Sequence, residues 1–166
     1  MKLWEFWIDV GGTFTDCIAR SPEDRLVECK VLSSGVTRRR ATRMTGPRQF
    51  VDQAAVRDAA DFWTGYILRC LNAQGQSIFE CRVAGFEAAS GTFTTDAPLP
   101  PEFSAGSGFE LTSDEESPIL AIRTILGLPL GSRIPQISVR LGTTRGTNAL
   151  LTRRGARTAF VTTRGF

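Results

Sequence analysis

Residues 3–16, Leu-Trp-Glu-Phe-Trp-Ile-Asp-Val-Gly-Gly-Thr-Phe-Thr-Asp, constrain the fold more than any other stretch of the chain. An apolar strand runs straight into Gly11-Gly12, and the pattern beyond the pair stays strand-like through Phe14 and Cys17-Ile18-Ala19. Adjacent glycines let the backbone turn tightly and approach a ligand closely, because no Cβ intervenes. The spacing predicts a β-hairpin. Two uses of it remain open: an ordinary two-glycine turn, or a loop that binds phosphate and metal. For the second use, Thr13 and Thr15 supply hydroxyls, and the exposed N–H groups of the turn form a concavity suited to anions. Asp9 and Asp16 flank the turn where carboxylates can hold a hydrated divalent cation. Neither common nucleotide motif is present. A P-loop needs a lysine followed by Ser or Thr, and the only lysines are Lys2 and Lys30; a dinucleotide fingerprint needs three spaced glycines opening a helix.

After the hairpin, Ser21-Pro22-Glu23-Asp24 predicts a turn, and the alternation over residues 26–32 a third strand. Residues 33–47 are polar and arginine-rich and read as a linker. Short strand patterns then follow one another: residues 62–71, 77–86, 91–95 and 108–111, separated by turn signals. They predict a small antiparallel β-barrel or sheet, inserted at about residues 36–112, whose role is open between a purely architectural insert and a partner contact with exposed Trp63, Tyr66 or Phe103 as anchors. Ser117-Pro118 reads as an N-cap with proline at the first helical position. Ile119, Ile122, Ile125 and Leu126 keep helical spacing until Gly127. A buried strand over 136–141, a helix over 147–154 capped by Gly155, and a strand over 157–163 predict a βαβ unit. Gly142, Thr143 and Thr144 then sit at a strand's carboxyl end, where open α/β sheets bind ligands. The alternative there is a threonine N-cap with Asn148 as a surface residue.

Composition removes several functions. There is no histidine, and Cys17, Cys29, Cys70 and Cys81 are widely spaced. This excludes the usual zinc sites and any histidine general base within the chain. The cysteines read as buried free thiols. A net charge of +3, with basic clusters only around 38–43 and 153–157, argues against a nucleic-acid partner. No apolar run approaches the ~20 residues of a membrane span, and residues 1–5 lack the order of a signal peptide. A cytoplasmic protein is expected.

Asp9-Val10-Gly11-Gly12-Thr13-Phe14-Thr15-Asp16 resembles the first phosphate loop of the hydantoinase A/5-oxoprolinase family, part of the actin-like ATPase and sugar-kinase superfamily. Leu141-Gly142-Thr143-Thr144, Thr147-Asn148-Ala149-Leu150-Leu151 and residues 154–166 resemble that family's second signature. The departures are Arg145-Gly146, where the family has small or apolar residues, and the segment 36–112, which its common form is expected to lack.

The resemblance implies an α/β (α+β) fold: a ribonuclease H-like, actin-type ATPase half-domain formed by residues 1–35 and 113–166, around the inserted β module at 36–112. It implies an amino-terminal fragment, inactive alone, of an ATP-dependent enzyme that opens a five-membered cyclic amide (5-oxoproline or a hydantoin) through a phosphorylated intermediate. The cofactors implied are ATP and Mg²⁺, and the partner a second, hydantoinase B-type subunit or domain. Gly11, Gly12, Thr13 and Thr15 would cradle phosphate oxygens. Asp9 would hold Mg²⁺ through water, and Asp16 would order the loop or assist the metal. Thr143, Thr144 and Asn148 would line the substrate or phosphate side. Two other functions fit the same sequence, an ATP-dependent ketone carboxylase subunit and a non-catalytic binding or assembly module.

Overall fold

The structure is a computed structural model and describes residues 2–165. Its first layer grows from the glycine hairpin. β1 (Glu5–Val10), β2 (Phe14–Arg20) and β3 (Leu26–Leu32) form an antiparallel meander. β11 (Ser138–Thr143) joins the other edge of β1 in parallel, giving the order β11-β1-β2-β3. Period-two alternation sets the two faces. Phe6, Ile8, Val10, Thr15, Cys17 and Ala19 point to one side and are buried there. Helix α1 (Ser117–Leu126) covers that side with Ala121 and Ile122. On the open face the rings of Trp7 and the guanidinium groups of Arg20 and Arg140 stack, and Glu5 bonds both arginines.

The second layer is a seven-stranded, wholly antiparallel sheet. Its strands are β4 (Thr37–Arg40), β5 (Arg43–Gly46), β6 (Gln49–Val51), β7 (Ile67–Leu71), β8 (Ser77–Glu87), β9 (Thr92–Thr95) and β10 (Gly108–Thr112). The order is β4-β10-β7-β8-β9-β6-β5. Its two edge strands are consecutive in the chain, separated only by Ala41 and Thr42, so the sheet rolls until its edges meet at that corner. The rolled interior is aromatic. Phe50 stacks on Phe93 at 5.1 Å and meets Phe103 and Phe109 edge-on at 5.2 and 5.0 Å. Val31 of β3 packs against both cores. The mixed α/β architecture, with two sheets and two helices, is the coarse class expected.

Several local expectations are corrected. Residues 33–47 are no linker, because they hold both edge strands β4 and β5. Their arginines suit a sheet edge, where charge discourages further pairing; Arg38 pairs with Glu110, and Arg39 with Asp52 and Asp58. The strand expected over 62–71 begins only at Ile67, since Asp61 (φ 55°) and Gly65 (φ 88°) turn the chain before it. Trp63, Tyr66 and Phe103 are buried, not exposed, because the sheet closes over them. Ser117 is the first residue of α1, with Glu116 at the cap position; Gly127 ends the helix in the left-handed region as expected.

β11 lies two residues later than expected, and its Val139 and Leu141 are exposed. Helix α2 spans Arg145–Thr152 and ends at Arg153 (φ 53°), before Gly155. Residues 157–163 form no strand and stay exposed, so the βαβ unit does not close among the described residues.

Candidate functional site

The hairpin tip is built as tightly as its glycines imply. Gly11 N–H donates to the Phe14 carbonyl at 3.0 Å, and a Cβ on Gly11 would lie 2.9 Å from that same oxygen. Contacts that short do not occur for real side chains, so glycine is obligatory. Gly12 and Thr13 are exposed, and among the described residues their N–H groups bond to nothing else. They are the exposed donors of the turn.

Thr15 faces the other way. It is fully buried, and its hydroxyl sits 3.0 Å from Ser33 Oγ and 2.8 Å from Ser117 Oγ. Ser33 Oγ donates to the Gly11 carbonyl at 2.8 Å. Each hydroxyl has one proton, so the direction of the chain follows. Ser33 uses its proton on Gly11, Thr15 must then donate to Ser33, and Ser117 must donate to Thr15. The result is a one-way relay from the first residue of α1 to the glycine turn. Thr15 therefore shapes the loop from inside, its hydroxyl held between Ser33 and Ser117. Sequence reasoning missed Ser33 and Ser117; the only signal was that Thr15 shares the inward face with Cys17 and Ala19.

The two carboxylates differ in the same sense. Across the open face the register places Gly142, Asp9, Asp16 and Lys30 in one row. Lys30 Nζ bonds Asp16 at 2.7 Å and sits over the Phe14 ring. Asp9 has no hydrogen-bond or ion-pair partner among the described residues. Like charges directly opposite each other repel, and Gly142 leaves room beside the Asp9 carboxylate, its position for a Cβ being 3.7 Å from Oδ1. Asp9 is thus a carboxylate facing another carboxylate, with open space and no cation. That arrangement fits Mg²⁺, which binds through one or two carboxylates and keeps its waters. Among the described residues no group of three or more Cys, Asp or Glu side chains forms a closed metal cage.

The opposite wall comes from α2, 136 positions along the chain. Thr144 N–H donates to the Val10 carbonyl at 3.2 Å, and its hydroxyl to the same oxygen at 3.4 Å, which fixes the start of α2 against the hairpin. Asn148 Nδ2 donates to Thr144 Oγ1 at 3.3 Å, and lies 3.5 Å from where a Cβ on Gly12 would be. Between these walls is a cleft of about 440 Å³, lined by Gly11, Gly12, Ser33, Ser34, Asn148 and Arg154 among others. The structure brings together Gly11, Gly12 and Asn148. Thr143 pairs with Val10 in the sheet, and the Thr144 hydroxyl is engaged as described. Arg154, from the basic cluster at 153–157, supplies a cation to the cleft.

The thiols take no part in this site. Burial pushes Cys17 up to about 11, Cys70 to about 12 and Cys81 to about 11, and raises Cys29 as well.

The chain matches the family model for the hydantoinase/oxoprolinase N-terminal region over residues 5–68 and 90–166. It belongs to that family. Both walls of the cleft lie inside the family region, and so do residues 36–68 and 90–112. The stretches outside it are residues 1–4 and 69–89, the latter chiefly β8. An uncharacterized protein of Schizosaccharomyces pombe is 41% identical over 61 residues, which is 31% of this chain and 5% of that protein. The chain therefore spans a small part of the length of this curated relative. No solved structure matches the chain. Among the described residues no helix is long and apolar enough to cross a membrane.

Proposed function

We propose that this region of the hydantoinase/oxoprolinase family supplies the phosphate-binding half of an ATP-dependent cyclic amide hydrolase, acting in the cytoplasm with a hydantoinase B-type subunit or domain. The observation that carries the reading is the cleft in which the obligatory glycine turn faces Asn148 and Arg154, with the unpaired Asp9 on the open face of β1 just before the turn. The meander with a parallel β11 beside β1 and a helix on one face is the arrangement expected of a ribonuclease H-like, actin-type half-domain.

In this reading Gly12 and Thr13 N–H groups bind phosphate oxygens at the hairpin tip, where nothing among the described residues competes for them. Arg154 and the Asn148 amide hold the other side. Asp9 would hold Mg²⁺ through water, and the ion when bound supplies neutralisation of phosphate charge. The protein's part in phosphoryl transfer is positioning and charge stabilisation, and the rigid turn fixes donors before the ligand arrives. A five-membered cyclic amide is resonance-stabilised; phosphorylating its oxygen makes the ring carbon electrophilic, so that water adds there, the ring C–N bond breaks with the nitrogen taking a proton, and a second water displaces phosphate from the acyl phosphate that results. That step explains why ring opening is coupled to ATP.

The test is phosphate release from Mg-ATP by the full-length protein with its partner, in the presence of 5-oxoproline, hydantoin, or a ketone with bicarbonate. Stimulation by a cyclic amide, lost in Asp9→Asn with an unchanged melting temperature, is expected. Stimulation by ketone and bicarbonate alone would replace the amide with a carboxylation substrate. Full turnover in Asp9→Asn would remove the metal role.

A further inference from the structure

We propose that the cleft at the junction of the two sheets is a binding site for a small planar organic anion, an aryl carboxylate or aryl phosphate. This cleft is separate from the one beside Asn148 and the proposal stands without the phosphate-loop reading. It has a volume of about 450 Å³, in the range of small-molecule sites. Phe14 and Lys30 form one wall, from the first sheet. Arg38 of β4 and the turn carrying Arg57, Phe62 and Trp63 form the other.

The chemistry of the lining selects the ligand. Four cations (Lys30, Arg38, Arg39 and Arg57) line the space against one carboxylate, Asp58. Asp58 is already engaged through Oδ2, which accepts from Trp63 Nε1 and from Arg39 Nη2, each at 2.6 Å. Arg57 is exposed and makes no ion pair among the described residues. Lys30 and Arg38 hold Asp16 and Glu110 from exposed positions, with 57% and 72% of their side chains accessible. Such pairs are weak, so both cations can turn to an incoming anion. Arg39 leaves its Nε buried with no hydrogen-bond partner, a donor that folding has not satisfied.

The apolar part of the lining is aromatic. Phe62 meets Trp63 edge-on at 4.8 Å and both are buried at the base of the cleft, while the Phe14 ring is exposed at the start of β2. A neutral arene leaves the cations unused, and a simple inorganic anion leaves the Phe14 ring in water. A ligand that is both flat and anionic uses both walls.

The experiment uses the full-length protein and four probes: 1-naphthoate, 1-naphthyl phosphate, the neutral 1-naphthalenemethanol, and acetate. Binding is measured by calorimetry, with the indole N–H resonance of Trp63 as the position marker. One-to-one binding of a naphthyl anion that moves the Trp63 resonance is expected, with the alcohol about tenfold weaker, as for the loss of a charged hydrogen bond. Arg57→Gln, at an exposed residue that the fold does not use, should weaken the anion several-fold and leave the alcohol unchanged. Phe14→Ala should weaken both. The comparison of carboxylate with phosphate then names the head group. Equal binding of anion and alcohol, an anion affinity indifferent to Arg57→Gln, or no binding by protein that melts cooperatively would each overturn the proposal.

Discussion

Replacing Thr15 with valine keeps the shape of a fully buried side chain and deletes one hydroxyl from the middle of the relay. Its cost can be worked from the bonds. Ser117 Oγ–H, 2.8 Å from Thr15, loses its only acceptor in the relay and becomes a buried donor without a partner, at about 1–3 kcal/mol. The donation to Ser33, at 3.0 Å, is lost as well, at about 1 kcal/mol. The sum is about 2–4 kcal/mol. In a domain of this length that lowers the melting temperature by about 2–4 °C for each kcal/mol. Thr15→Ser keeps the hydroxyl and gives up one methyl, about 1 kcal/mol. The decisive comparison is the double variant Thr15→Val/Ser117→Ala, which removes the stranded donor together with its acceptor. Urea unfolding followed by circular dichroism, with an unchanged slope, should show the double variant less destabilised than the two singles added, by about 1 kcal/mol or more. Additive effects, or a Thr15→Val variant as stable as Thr15→Ser, would refute the one-way relay.

Two further outcomes follow from the packing. Arg123 binds both oxygens of Glu115 at 2.6 and 2.7 Å and donates to the carbonyls of Pro129 and Ser132. Arg123→Ala should cost about 3–5 kcal/mol in urea unfolding, and Arg123→Lys should recover little, because an ammonium cannot reproduce the planar fork. Stability should also fall as pH rises above about 9. Cys17, Cys70, Cys81 and Tyr66 are held above their ordinary values, to about 11, 12, 11 and 12, chiefly by burial. Between the ordinary and the raised values the unfolded chain has lost protons that the folded chain retains, so rising pH favours unfolding. The stabilisation is complete below the ordinary thiol value of 9.0 and is lost as pH climbs through the raised ones. A urea midpoint that stays flat from pH 8.5 to 10.5 would contradict the burial of these groups.

The glycine turn, the alternation of β1 and β2, and the left-handed stop at Gly127 were legible from residues alone. Each is a local requirement: a missing Cβ where Phe14's carbonyl approaches, a period of two, a positive φ. Gly12 and Asn148 were legible as separate candidates, but nothing in their spacing says that they face each other. Parallel pairing of β11 with β1 brings them together, and pairing at that sequence separation leaves no local trace. The arginine-rich stretch 33–47 misled for the same reason. Its charges mark a sheet edge, and an edge exists only once β10 and β6 have paired with β4 and β5. Trp63, Tyr66 and Phe103 look like surface anchors until the sheet rolls closed around them.

Thr15 draws the line most sharply. By itself the sequence determined that Gly11 and Gly12 make a tight, ligand-approachable turn, because backbone sterics act over a few residues. Only the tertiary structure decided which hydroxyl stays exposed at the tip and which serves the fold. α1 arrives over the inward face carrying Ser117, so burial and a ready partner commit Thr15 to the interior, while Thr13 at the tip keeps its contact with solvent.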